Sequence, residues 1–492
     1  MPITMNRSYL TSLLWSLALL ASSSAFADAP PPAPYGPVPS PRQLAWQKME
    51  FIGFVHFTVD TFTGKEWGYG DESETVFNPT AFDAGQIARV AQQAGMKELI
   101  LTCKHHDGFC LWPSAYTEHS VKHSPWHSGV GDVVKEISQA CHKEGLKFGV
   151  YLSPWDRNSA IYGSTAYIAY YRNQLTELLT GYGPISEVWF DGANGGDGYY
   201  GGKRETRSID NRTYYDWPGT IKLVRQLQPM ACMFSDAGPD IRWVGNEDGA
   251  AGDPCWQALN LRDFSPGNAD TKRLNHGDRG GANWAPAECD VSIRPGWFYH
   301  ANEDSKVKSP QQLLDIYFNS VGRGATMLLN IPPDQRGQIH ENDVASLQEF
   351  ARRRDAIFAN DLARDARVVA SNVRSQARQY RPENVLDGEP DTYWAPADGV
   401  TNADIVLVFR QPVTFNVVRI REYLPLGQRV EGYALDQWQD GKWDEFANGQ
   451  SIGNCRLVRG ADVTTSRVRL RITKGIVSSA ISEIGLFYET KG

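Results

Sequence analysis

The chain has 492 residues, 49 Lys and Arg against 57 Asp and Glu for a formal net charge of −8, and 41% apolar residues. That composition excludes a disordered, collagen-like or coiled-coil chain, and at about 150 residues per domain the length asks for a large domain with one or two smaller ones. No basic surplus is present to neutralise a phosphate backbone, so nucleic acid is not an expected partner. The 15 Trp and 21 Tyr of an acidic chain suit a sugar, whose C–H faces stack on indole and phenol while carboxylates accept from its hydroxyls.

Residues 1–27 read as a secretory signal: Arg7 gives the positive start, Leu10 to Leu20 a short apolar run, and Ala25-Phe26-Ala27 a small-x-small cleavage site. The expectation is therefore an exported protein, periplasmic or secreted, with no membrane attachment after cleavage, since no later stretch approaches about 18 uninterrupted apolar residues. Export permits disulfides. Seven cysteines leave at least one unpaired within the chain, and buried free thiols are the simpler reading for a core this large. Residues 28–43 are proline-rich and read as an extended linker.

From 44 to 361 strand-like runs alternate with helical ones. Strands are expected at 50–59, 98–101, 147–153, 187–190, 232–235 and 326–331. Helices are expected at 84–94, 132–144, 166–182, 217–227, 311–321 and 342–358. Such alternation predicts an α/β fold with a parallel sheet, either a (β/α)8-like barrel or an open doubly wound sheet. The absence of GxGxxG after an early strand weighs against the second. After about residue 362 helical periodicity stops and short strands recur near 405–409, 417–421, 433–437, 468–472 and 484–488, the spacing of an antiparallel β-sandwich over 362–492.

Barrel chemistry sits at the C-terminal strand ends. There the chain carries His56 and Glu66-Trp67, then Lys104-His105-His106-Asp107, then Tyr151, then Trp189-Phe190-Asp191-Gly192, then Asp236, Arg242 and Asn246-Glu247-Asp248, then Glu288, Asp290, Arg294 and Trp297. Asp191, directly after an apolar strand and before a glycine, is placed as a rigid carboxylate that a ligand can approach closely. It reads as the nucleophile of a retaining glycosidase or as a helix cap. His105 and His106 read as hydrogen-bonding groups for sugar hydroxyls or as metal ligands. Neighbouring residues on a strand point to opposite faces and no HExxH spacing is present, so no metal is expected.

In order, Gly53-Phe54-Val55-His56-Phe57, Glu66-Trp67-Gly68, Lys104-His105-His106-Asp107-Gly108-Phe109, Gly149-Val150-Tyr151-Leu152-Ser153, Trp189-Phe190-Asp191-Gly192 and Leu328-Leu329-Asn330-Ile331 resemble glycoside hydrolase family 29, the retaining α-L-fucosidases. The resemblance covers roughly 45 to 360. It implies Asp191 as nucleophile, and His56, Glu66, His105 and His106 as partners of fucose hydroxyls. It also implies Trp67 and Trp189 in the pocket wall, Tyr151 and Arg242 flanking the reacting centre, and Trp297 against the apolar side of the sugar. For the acid/base it offers Glu247, in Gly245-Asn246-Glu247-Asp248-Gly249, with Glu288 as the alternative. Together with Ser292-Ile293-Arg294-Pro295-Gly296-Trp297-Phe298 it resembles the α-1,3/1,4-specific subfamily. The implied partners are fucosylated, Lewis-type glycans, and no cofactor is implied. Asn384-Val385-Leu386-Asp387-Gly388 and Thr392-Tyr393-Trp394-Ala395 resemble a discoidin-like, family 32 carbohydrate-binding sandwich. A sugar-binding protein with an inactive barrel, and a metal-dependent hydrolase built on His105, His106 and Asp107, are the competing readings.

Overall fold

The computed structural model describes residues 29–267 and 270–490, so the expected signal sequence lies outside the described residues. Eight parallel strands close into a barrel: β1 (Phe51–Val55), β2 (Glu98–Lys104), β3 (Lys147–Leu152), β4 (Glu187–Trp189), β5 (Cys232–Ser235), β6 (Ile241–Trp243), β7 (Ala287–Ser292) and β8 (Thr326–Asn330), with β8 pairing back to β1. In β1 the two-residue period separates Phe51 and Val55, which pack under the outer helices, from Ile52 and Phe54, which fill the barrel interior with Ile100, Tyr151, Trp189, Phe234 and Leu328.

The outer helices start where short polar side chains cap them. Asp83 accepts from Gln86 N before Ala84–Ala94, Asp132 from Lys135 N before Val133–Lys143, and Asp216 from Gly219 N before Trp217–Leu227. Gly95 ends the first of these at φ 92°, a conformation glycine takes without strain.

Two barrel strands, β6 and β7, were not expected. β5 and β6 are parallel neighbours joined only by residues 236–240, where a crossover helix is the usual link. The helical period that announces a β-α-β unit is therefore missing at this point. The proline-rich segment is a strap laid on the second domain: Ala29 O accepts from Tyr380 Oη at 3.1 Å, Pro30 O from Arg374 Nε at 2.8 Å, and Tyr35 N donates to Leu426 O at 3.0 Å. It ends at the capping box of Ser40 and Gln43, which opens helix Pro41–Gln47 inside the span read as linker.

The second domain is an antiparallel β-sandwich of β9 (Arg367–Ala370), β10 (Ala403–Glu422), β11 (Val430–Gln439), β12 (Lys442–Gly449), β13 (Arg456–Gly475) and β14 (Ile481–Phe487). The 20-residue β10 and β13 pair along both halves across register shifts. β9 adds to the first half of β10 and β14 to the second, so two long strands serve both layers. The residues that carried the discoidin likeness build this fold. Trp394 is fully buried with Nε1 on Asn372 O, Asn384 Nδ2 donates to Gln379 O and Tyr393 O, and Asp387 accepts from Glu389 N and Thr392. Arg456 clamps Asp253 with two bonds of 2.9 and 2.8 Å, and Leu457 and Phe487 join the barrel's own apolar core.

All seven cysteines are buried free thiols. Among the described residues no helix is long and apolar enough to cross a membrane.

Candidate active site

At the C-terminal mouth of the barrel a cavity of about 250 Å³ is lined by residues from six of the eight strand ends, including Phe54, His56, His105, His106, Trp189, Asp191, Trp243 and Trp297. Asp191 follows β4. Its Oδ1 accepts from Ala193 N at 2.6 Å and its Oδ2 from Tyr151 Oη at 3.0 Å. Burial pushes this carboxyl up from its ordinary range, and the two donors pull it back toward the ionised form. A Cβ on Gly192 would stand 2.2 Å from Asp236 Oδ2, so the glycine lets the β4 and β5 ends close on each other.

Three histidines crowd one wall, with ring centres 5.6 Å apart for His56 and His105 and 4.1 Å for His105 and His106. Burial, before any neighbour, pushes His56 and His106 down to about 3 and His105 well below its usual range. All three are neutral imidazoles at neutral pH. Asn330 Nδ2 donates to Ser292 Oγ and Trp297 O, which leaves Asn330 Oδ1 to accept from His56 Nδ1 at 2.9 Å. Ser153 spends its hydroxyl proton on Trp155 O and accepts from His106 Nδ1 at 2.7 Å. Both rings therefore keep Nε2 as an acceptor, the complement of a sugar hydroxyl. His106 Nε2 lies 3.9 Å from Asp191 Oδ2, beyond hydrogen-bond range.

The adjoining wall comes from the loop after β7. Glu66 holds it, accepting from Trp297 N at 2.7 Å and contacting His300 Nε2 at 2.5 Å. Trp297 rests against His56 at 5.1 Å and its Nε1 donates to Glu247 Oε2 at 3.1 Å. Trp67, 53% exposed, stands at the rim with its ring edge-on to His106 and Trp155.

Nine of the residues expected from sequence, Asp191, Glu247, His56, Glu66, Trp67, His105, His106, Trp189 and Trp297, thus line one cavity, and Tyr151 lies beneath it, bonded to Asp191. Arg242 does not flank the centre. It alternates with Trp243 on β6, points away from the cavity, is fully buried, and is bonded through Nε to Leu274 O at 2.8 Å, through Nη1 to Ala285 O and through Nη2 to Cys255 Sγ at 3.4 Å. Glu288 is likewise not at the cavity surface. It is fully buried below Trp189, whose Nε1 donates to it at 2.8 Å.

Trp243, Asp290 and Asp236 are among the cavity residues to which the sequence assigns no role. Trp243 Nε1 donates to Asp290 Oδ1 at 2.9 Å, and burial, then Glu247, keeps the Asp290 carboxyl well above its usual range. Asp236 accepts from Gly267 N at 2.7 Å, and burial is the main reason its carboxyl is pushed up to about 6. The strand period was the available signal, since Asp290 shares the inward face with Glu288 but sits one step nearer the mouth.

Asp60, His105 and Asp107 bring one ligand-type atom each within 4.8 Å of one another. His106 turns the other way, to Ser153. Asp107 is also engaged by Phe109 N at 2.5 Å within its own loop and by Thr58 Oγ1 at 3.0 Å, a bond that ties the β1 and β2 end loops together.

The model of the alpha-L-fucosidase family matches residues 40–352, and that of the F5/8 type C domain residues 368–486. Alpha-L-fucosidase 1 of Arabidopsis thaliana is 45% identical over 480 residues, 96% of this chain and 92% of that protein. A solved putative alpha-L-fucosidase from Bacteroides thetaiotaomicron is 41% identical with a TM-score of 0.86, covering 94% of this chain and 99% of its own. A Ruminococcus gnavus family 29 fucosidase solved in complex with fucose is 33% identical with a TM-score of 0.85, covering 94% and 97%.

Proposed function

The chain belongs to the α-L-fucosidase family, glycoside hydrolase family 29, and from that premise we propose that it releases terminal α-1,3- or α-1,4-linked fucose from Lewis-type glycans, with retention of configuration, as an exported enzyme. The observation that carries this reading is the pair of carboxylates lining one cavity: Asp191, held toward its ionised form by Tyr151 and Ala193, and Glu247, held by Trp297.

Asp191 attacks C1 while Glu247 protonates the departing glycosidic oxygen. Glu247 then takes a proton from the water that hydrolyses the fucosyl-enzyme. His56 and His106 accept from fucose hydroxyls through Nε2. Their neutrality suits this, because a cation in that wall would oppose the positive charge that grows at C1. Trp297 and Phe54 offer apolar faces for the methyl group. Buried neutral imidazoles and an open rim at Trp67 fit a terminal sugar held deep with its aglycone in solvent.

The test follows the anomeric protons by NMR while the mature protein acts on a Lewis-type trisaccharide and on an aryl α-L-fucoside. Early α-fucose, released faster from the trisaccharide, is the expected result, and Asp191→Gly abolishes release from both. Early β-fucose overturns the double displacement, preference for the aryl fucoside overturns the linkage assignment, and near-normal activity of the variant removes Asp191 from the nucleophile role.

A further inference from the structure

Below the cavity floor the barrel interior holds three carboxyl groups that the chemistry above does not use: Glu98 at the start of β2, Glu187 at the start of β4 and Glu288 on β7, each fully buried. Each has one oxygen engaged. Glu98 accepts from Ser186 Oγ, Glu187 from Trp46 Nε1 at 2.6 Å, and Glu288 from Trp189 Nε1 at 2.8 Å. The second oxygen of each is buried without a donor. Such groups are costly unless a proton joins them. Glu187 and Glu288 are neighbouring carboxyls, and after burial the charge of Glu288 is what most favours the protonated form of Glu187. Burial is the main cause that pushes Glu288 up to about 8 and Glu98 up to about 7, and holds Glu187 well above its usual range.

Trp189 connects this layer to the chemistry. Its ring lines the cavity, stacks on Phe234 at 4.1 Å and 9°, and lies at 5.3 Å and 26° on Tyr151, the donor to Asp191. Phe234 and Tyr151 fix the plane of the indole. The bond to Glu288 adds a directional constraint on the indole that the apolar stacks do not supply.

Resting on the fucosidase reading above, we propose that Glu288 is a positioning residue: backed by Glu187, it holds the Trp189 indole in register, and through the Trp189–Tyr151 stack it sets the Asp191 carboxylate. The assignment explains how a glutamate with the sequence environment of an acid/base comes to lie out of reach of the glycosidic oxygen. A loss of activity on changing it then reports the pocket floor and not proton transfer.

Glu288→Gln retains volume and an acceptor for Trp189 Nε1, whereas Glu288→Leu retains volume alone. Steady-state kinetics on aryl α-L-fucosides with good and poor leaving groups, with and without azide, are run beside calorimetric titration with fucose. For Glu288→Gln, kcat/KM is expected within about threefold of the parent. For Glu288→Leu it falls about 10- to 100-fold, the range of leaving one buried donor, the Trp189 Nε1–H, without its acceptor. The loss is equal for both leaving groups, is not rescued by azide, and comes with weaker fucose binding. Trp189→Phe, which removes the donor and leaves Glu288 in place, shows the same pattern, and the Glu288→Leu/Trp189→Phe double variant is no worse than the worse single one. A loss confined to poor leaving groups, rescue by azide, equal damage from Glu288→Gln and Glu288→Leu, or parental kinetics in Trp189→Phe overturns the proposal. If the parent itself released no fucose, the fucosidase reading would fail separately. The titrations would still test whether Glu288 shapes the sugar pocket.

Discussion

Tyr151→Phe isolates one hydrogen bond at the nucleophile. Phenylalanine keeps the ring stacked on Trp189 at 5.3 Å and near His105 at 5.8 Å, and removes only the hydroxyl that donates to Asp191 Oδ2 at 3.0 Å. Burial raises the Asp191 carboxyl, and this donor is one of the two that pull it down. A hydrogen bond to a charged, largely buried oxygen contributes about 1.5–2.5 kcal/mol, or about 10- to 70-fold in the ionised fraction once the group is titrating. The sign follows from which form the donor favours. It stabilises the carboxylate, so its removal raises the folded-state value, and Asp191 becomes protonated at a higher pH. On the acidic limb kcat/KM should therefore fall by about 10- to 70-fold, while the plateau moves much less because Asp191 is ionised there in both proteins. A pH series of kcat/KM with an aryl α-L-fucoside measures both regions. An acidic limb that stays in place or moves to lower pH, with a uniform loss at every pH, would refute the argument and leave Tyr151 a packing residue.

Glu247→Ala should lose far more activity on substrates with poor leaving groups than on activated aryl fucosides, and an equal loss on both would remove it from the acid role. Arg242→Met, which strips three hydrogen bonds from a fully buried cation and its acceptors, should destabilise the fold by about 3 kcal/mol or more while the folded fraction keeps its KM; a changed KM at unchanged melting temperature would return Arg242 to the site. His56 and His106 titrate at about 3 in the folded chain against an ordinary 6.5, so the unfolded chain protonates first and their contribution is lost as pH falls from about 6.5 toward 3. Glu288, raised to about 8 from 4.5, contributes fully below 4.5 and loses its contribution as pH rises through 8. Glu288→Gln should therefore gain in melting temperature relative to the parent between pH 5 and pH 8.5, and a constant difference across that range would contradict the raised value. Dialysis against a chelator should leave fucose release unchanged. Loss with recovery on adding back a divalent ion would make Asp60, His105 and Asp107 a metal centre.

Local chemistry determined much of this molecule. Helix 84–94 and strand 232–235 were legible to the residue, because an aspartate cap, a C-terminal glycine and a short apolar run are read within a few positions. The same holds for His105-His106 and for Asp191, which stand at strand ends that their own neighbours define. The resemblance to family 29 brought the remaining wall residues together, which spacing alone does not.

What only the tertiary structure decided is depth and direction. Arg242 and Trp243 are adjacent, yet the alternation of β6 sends Trp243 to the cavity and Arg242 to a buried carbonyl cage. Glu288 and Asp290 share a face of β7, yet the tilt of a closed barrel puts one below the indole floor and the other at the mouth. β6 itself escaped notice because its connection from β5 contains no helix, and the proline-rich strap acquires its meaning only from the second domain it crosses. Closure of the barrel is a property of all eight strands at once. The side of a strand that faces the sugar, and how far down the barrel a carboxylate lies, are set by that closure and by no local run of residues.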